Sequence, residues 1–201
     1  EPFGPDLHRV VLTFPATQIQ DVWTVLHDYA PTAPDAVSMI FGIDRAGPDA
    51  GYPDDLLGKP IVYLAWNHSG SANDVERDTA GLRVGPRPVT TTIGSARYLD
   101  VQTAHDLVFA WGHRSFIRSH SANDVRRGAL DELVELVATA PGDSTFSVTA
   151  LGGAYAHLER RLAVGPAVGL SGGRVHAEGD ELLSEPEDLD AAAGHLHEWP
   201  V

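Results

Sequence analysis

The chain has 201 residues, 43% of them hydrophobic, with 28 acidic against 14 basic side chains and a formal net charge of −14. That length fits one domain with a sizeable core, and a charge of this sign repels a phosphate backbone, whose binding needs Lys and Arg to displace counterions, so neither nucleic acid nor an anionic membrane is an expected partner. With no cysteine there is no disulfide, no thiolate nucleophile and no cysteine-ligated metal.

In chain order, residues 8–14 (His-Arg-Val-Val-Leu-Thr-Phe) end at Pro15 and read as a strand. A helix should follow through residue 29, with Thr17 as its N-cap, because Ile19, Val22, Trp23, Leu26 and Tyr29 recur at helical spacing. Strands are expected over 37–43 and 60–68, on either side of a polar Gly/Pro/Asp-rich loop at 45–59. The run Ser71-Ala-Asn-Asp-Val75 returns as Ser121-Ala-Asn-Asp-Val125, each copy after a strand-like segment and a histidine, His68 or His120. Ser three residues ahead of Asp predicts a capped helix start in both copies. In the second helix Val125, Leu130, Leu133, Val134 and Val137 form an apolar stripe that stops at Pro141-Gly142. Further strands are expected over 108–111, 146–151 and, briefly, 174–177, with a closing helix over 189–199. Several strands joined by a few amphipathic helices make an α+β fold built on a mostly antiparallel sheet. No basic segment followed by an apolar run opens the chain, and no apolar run reaches the roughly 20 residues that span a bilayer. A soluble, cytoplasmic protein is therefore expected.

Three pieces stand in a telling order: residues 112–119 (Gly-His-Arg-Ser-Phe-Ile-Arg-Ser), a helix, and residues 146–154 (Phe-Ser-Val-Thr-Ala-Leu-Gly-Gly-Ala). With the strand at Val10 to Pro15 and the helix through Val22 and Trp23, they resemble the substrate-binding domain of berberine-bridge-type FAD-linked oxidases. The resemblance covers residues 6–160 of a single domain, 1–201, and leaves 161–201 as a divergent C-terminal segment. The flavin-binding half of that family, with its histidine and cysteine for covalent attachment, has no counterpart here. The resemblance implies helices on one face of the sheet and a substrate pocket on the other. It also implies that this chain alone binds no cofactor, that FAD would sit on a flavoprotein partner, and that a hydrophobic small molecule is oxidised between them. A flavin-independent derivative is the alternative: a cyclase, an isomerase or a binding protein for a natural product. A third expectation is a homo-oligomer that uses the free sheet face as its interface.

In the family the sheet turns one face toward the flavin, with substrate between them, and that fixes where site residues belong. Strand alternation puts Tyr63, Ala65 and Asn67 on one side and Leu64, Trp66 and His68 on the other. Val62, Leu64 and Trp66 are the more continuous apolar set and should lie under the helices, which sends Tyr63 and Asn67 toward substrate. His113, Arg114 and Arg118 cluster on the most family-like segment, where a cation can orient an anionic or carbonyl group and a histidine can relay protons. Tyr63, His113 and Tyr155 are thus the expected catalytic residues, with Asn67, Trp111, Arg114, Arg118 and His157 binding substrate. His176, Glu178, His195 and His197 match no established metal spacing, so no metal is expected. The run Gly169-Leu-Ser-Gly-Gly-Arg174 reads as a flexible loop. Its Gly-x-Ser-x-Gly pattern lacks the strand-to-helix context of a nucleophile elbow.

Overall fold

A computed structural model describes residues 6–48, 51–103, 114–122, 125–140, 143–150 and 168–177. Among these residues seven strands form one sheet: β1 (Asp6–Pro15), β2 (Val37–Arg45), β3 (Pro60–His68), β4 (Thr90–Arg97), β5 (Arg114–Ala122), β6 (Asp143–Ala150) and β7 (Val168–Ala177). Their spatial order is β4-β1-β3-β2-β6-β7-β5, and every neighbouring pair is antiparallel. Among the described residues four α-helices accompany them: α1 (Ile19–Tyr29), α2 (Ala72–Thr79), α3 (Tyr98–Thr103) and α4 (Arg127–Thr139). The fold class is α+β.

The core lies between one face of the sheet and the helices α1 and α4. Ile19, Val22, Trp23 and Leu26 make the buried stripe of α1, at the i, i+3, i+4 and i+7 spacing of one helix face. Ala129, Leu130, Leu133 and Val137 do the same on α4. They meet Val10 and Phe14 of β1, Met39, Phe41 and Ile43 of β2, Val62, Leu64 and Trp66 of β3, and Phe146 and Val148 of β6. Trp23 sets its ring edge-on to Phe41, with centroids 5.2 Å apart, a favoured aromatic geometry. Each such fully buried side chain contributes about 1.5–3 kcal/mol of transfer free energy. Arg45, at the end of β2, donates to the carbonyls of Val137 at 2.7 Å and Ala140 at 2.6 Å, so a cation satisfies the C-terminal carbonyls of α4. No helix of the described residues is long and apolar enough to cross a membrane.

Several local expectations change. Thr17 is not an N-cap: a 3₁₀ turn, Ala16–Gln18, intervenes after Pro15, and α1 starts behind Gln18 without a side-chain cap. Ser71 does hold the N-cap position of α2, but its hydroxyl donates to the Asp74 carboxylate at 2.6 Å instead of accepting a backbone amide. The second copy of that motif starts no helix. Ser121 and Ala122 end β5, whose ladder with β7 uses the backbone, and α4 begins only after Arg126. Strand β4 and helix α3 were not expected; β4 exists because β1 offers it a full antiparallel register from Thr13 to Asp6. The run Gly169 to Arg174 is strand, not loop, held between β5 and β6. Three steps of β7, from Ser171 to Arg174, oppose two steps of β6, from Thr145 to Ser147. That extra residue is a β-bulge, a place where Gly172 and Gly173 cost least. Ser171 pairs with both Ser119 and Ser147 in mid-strand, which is incompatible with a nucleophile elbow. The expected strand at 108–111 and helix at 189–199 lie outside the described residues.

Candidate functional site

Register assembles a patch on the sheet face opposite α1 and α4. On β3, Val62, Leu64 and Trp66 are buried in the core, and the intervening Tyr63, Ala65 and Asn67 are half-buried on the opposite, distal face. Directly opposed residues share a face, so Tyr63 is flanked by Thr13 of β1 and Gly42 of β2, and Asn67 by Arg9 and Ser38. Gly42 in turn opposes Ser147 of β6. The Tyr63 ring lies across Gly42 so closely that a Cβ there would fall 2.2 Å from the ring carbon bearing the hydroxyl. Any side chain at position 42 would displace the ring. Asn67 Oδ1 is shielded from solvent and has no hydrogen-bond partner among the described residues. Leaving a buried acceptor unpaired costs about 1–3 kcal/mol, a cost that a donor brought by a ligand would remove.

The other residues singled out from the sequence do not join this patch among the described residues. Arg114 and Arg118 lie on the edge strand β5, opposite Ala177 and Gly172 of β7. Trp111, His113, Tyr155 and His157 lie outside the described residues. Arg9, Thr13, Ser38 and Gly42 went unread in the sequence. The signal for them is strand pairing: once β1, β2 and β3 are in register, the neighbours of Tyr63 and Asn67 follow.

A second polar cluster closes the helix-side end of β3. His68 is fully buried, accepts the Gly70 amide at Nδ1 (2.9 Å) and contacts an Asp78 carboxylate oxygen through Nε2 (3.0 Å). A ring whose Nδ1 accepts carries its proton on Nε2 and donates it to Asp78. Arg77 donates to the other oxygen of Asp78 at 2.8 Å, and the Tyr29 hydroxyl donates to the Asp78 carbonyl. The hydrogen bonds from His68, then Arg77, hold the Asp78 carboxyl below the usual carboxylate range. Burial first, and the Asp78 charge second, push the Tyr29 hydroxyl up. Every polar atom of the His68 ring is spent on α2 and its approach, so the cluster works as a latch between strand and helix.

Neither a protein-family model nor a curated protein matches the chain. Solved structures of berberine-bridge-type FAD-linked oxidases do. The 6-hydroxy-D-nicotine oxidase of Arthrobacter nicotinovorans is 15% identical, with a TM-score of 0.63 over 96% of this chain and 43% of its own. The berberine-bridge-enzyme-like protein 1 of Physcomitrella patens is 8% identical, with a TM-score of 0.68 over 100% of this chain and 45% of its own. A berberine bridge enzyme variant that acts as a reticuline dehydrogenase is 10% identical, with a TM-score of 0.67 over 100% of this chain and 42% of its own. The chain thus spans less than half the length of the structures it matches. It has the fold of that part of these oxidases.

Proposed function

We propose that this chain is the substrate-facing part of a berberine-bridge-type FAD-dependent oxidase, the flavin being held by a segment outside these 201 residues or by a partner chain. The observation that carries the reading is the shielded Asn67 Oδ1, without a partner among the described residues, beside Tyr63 on the face turned away from the helices. The likeness in fold to those oxidases supports it as well. The neighbours of Tyr63 are short: Gly42, which the ring covers, the buried Thr13, and the half-buried Ala65 and Ser147, so Tyr63 is the large side chain of the patch. FAD, when present against such a face, supplies the two-electron acceptor. The residues of this chain orient the substrate. Asn67 Oδ1 accepts a hydrogen bond from a hydroxyl or amine, and the Tyr63 hydroxyl, held over β2, exchanges a proton or a hydrogen bond with the same molecule.

The test is purification from the native source under mild conditions, with mass spectrometry and visible absorbance. The expected result is a flavin-bearing polypeptide, continuous with this sequence or tightly associated with it, whose turnover falls by about 10-fold or more in Asn67→Ala and Tyr63→Phe. Isolation of the chain without any flavin would overturn the reading.

A further inference from the structure

The helix side of the sheet holds a second space, separate from the face of Tyr63. Between β1, β3 and α1 lies a cavity of about 180 Å³ lined by Leu12, Phe14, Val22, Val25, Leu64 and Leu82. Leu12, Phe14 and Leu64 are the chain neighbours of Thr13 and Tyr63 and point to the opposite face, so one sheet thickness separates the two sites. Arg83, Val84, Gly85, Pro86 and Pro88 contribute the rest of the lining, and the segment 83–88, Arg-Val-Gly-Pro-Arg-Pro, forms a strap over the cavity. Outside the strap is an open groove of about 730 Å³, walled on the α1 side by Asp21, Thr24, Asp28 and Tyr29. Val25, Val84, Gly85 and Pro86 line both spaces and are the partition between them.

That partition is weakly tied. No backbone hydrogen bond joins residues 85–88 to another described residue; the next anchor is Val89, whose amide donates to Thr13 O at 2.8 Å. Pro86 and Pro88 have no amide hydrogen to give. Gly85 sits at φ +145°, and a Cβ there would lie 2.7 Å from Val25 Cγ2, so the strap rests on α1 at a point where only glycine fits. Val84, a large apolar residue, stands 63% exposed at the rim. Swinging this segment outward breaks no ladder and joins the cavity to the groove.

We propose that the cavity binds the ring of a neutral, monocyclic apolar molecule, entered by displacement of the strap at 84–88, with any remainder of the molecule lying in the outer groove. A dry apolar space of about 150 Å³ accepts benzene, and lining atoms that face a void regain dispersion contacts when it is filled. Asp21 and Asp28 in the groove repel anions, so a ring bearing a carboxylate is refused.

Toluene and benzoate, titrated into the full chain and followed by thermal unfolding, test this. Toluene should raise the unfolding midpoint saturably, by about 2 °C or more, and benzoate should leave it unchanged. Leu12→Phe fills the cavity and should abolish the toluene shift with the circular dichroism spectrum intact. Leu82→Ala enlarges it and should add a response to the bicyclic naphthalene that the unaltered chain lacks. The proposal fails if toluene gives no shift, if benzoate shifts the midpoint equally, or if folded Leu12→Phe responds as before. Should Leu12→Phe not fold, Leu82→Ala decides: a naphthalene response upholds the site, and its absence overturns it.

Discussion

Strand β3 serves two faces that ask opposite things of their residues. Val62, Leu64 and Trp66 are closed off among side chains from both helices and from β1 and β2, where close packing makes volume the controlling quantity. Tyr63, Ala65 and Asn67 alternate with them, half-buried, beside a glycine and short polar residues. One carbonyl oxygen among them is left without a described partner. The contrast teaches that a period of two lets a single strand separate stability from chemistry. The packed face supplies free energy, and the distal face can carry an unpaired polar group at a cost the core offsets.

Substitutions on the two faces should therefore differ in kind. Trp66→Ala, on the packed face, removes the largest fully buried side chain of the described residues and should cost about 3–5 kcal/mol in urea unfolding. A cost below about 1 kcal/mol would mean that the helices do not close on β3. Gly42→Ala probes the boundary between stability and site, because the new methyl meets the Tyr63 ring. It should cost about 1–3 kcal/mol, and most of that should vanish in the background of Tyr63→Ala, where the double-mutant cycle reads the clash alone.

His68 is the polar exception on the packed face, and its partner Asp78 makes it sensitive to acid. The Asp78 carboxyl titrates below its unfolded value of about 3.9, so it contributes stability above that pH and loses it as pH falls through the folded value. Comparing urea midpoints at pH 5 and pH 3 should show a smaller acid-induced drop in Asp78→Asn than in the unaltered chain. An unchanged drop would remove Asp78 from the latch. The smallest loss belongs to the distal face: Asn67→Ala should leave stability unchanged or raise it by about 1 kcal/mol in the same unfolding assay, since no described partner is lost and the cost of an unpaired acceptor is removed. A loss above about 1.5 kcal/mol would make Asn67 structural and argue against its role in binding.

Legibility followed the same division. Strand β3 could be read from 60 to 68 because its β-branched and aromatic run is dense, and α1 because its apolar stripe is regular. Strand β4 could not: Thr90–Arg97 is almost wholly exposed and shows no alternation, so only β1 makes it a strand. Of β7 only 174–177 could be read as strand; its first part was hidden by glycines, which weaken local propensity while serving the bulge. The two Ser-Ala-Asn-Asp-Val runs have one sequence and two fates. The first starts α2, whereas Ser121 and Ala122 of the second pair with β7 in the β5–β7 ladder, so a local capping signal gave way to long-range pairing. In the candidate site, the facing of Tyr63 and Asn67 followed from the continuity of Val62, Leu64 and Trp66. Arg9 and Ser38 are 58 and 29 positions from Asn67, and Gly42 is 21 from Tyr63, so no local pattern links them.

By itself the sequence determined what is written within a few residues: the apolar stripes of the helices, the alternation along β3 and the fold class, because hydrophobic period and propensity act locally. Tertiary structure alone decided the strand order, the existence of β4, the extension of β7 back to Val168, the approach of Gly42 to Tyr63 and the cavity under the strap. Each of these depends on which distant backbone supplies the hydrogen bonds and which distant side chain fills the space, and a linear pattern encodes neither.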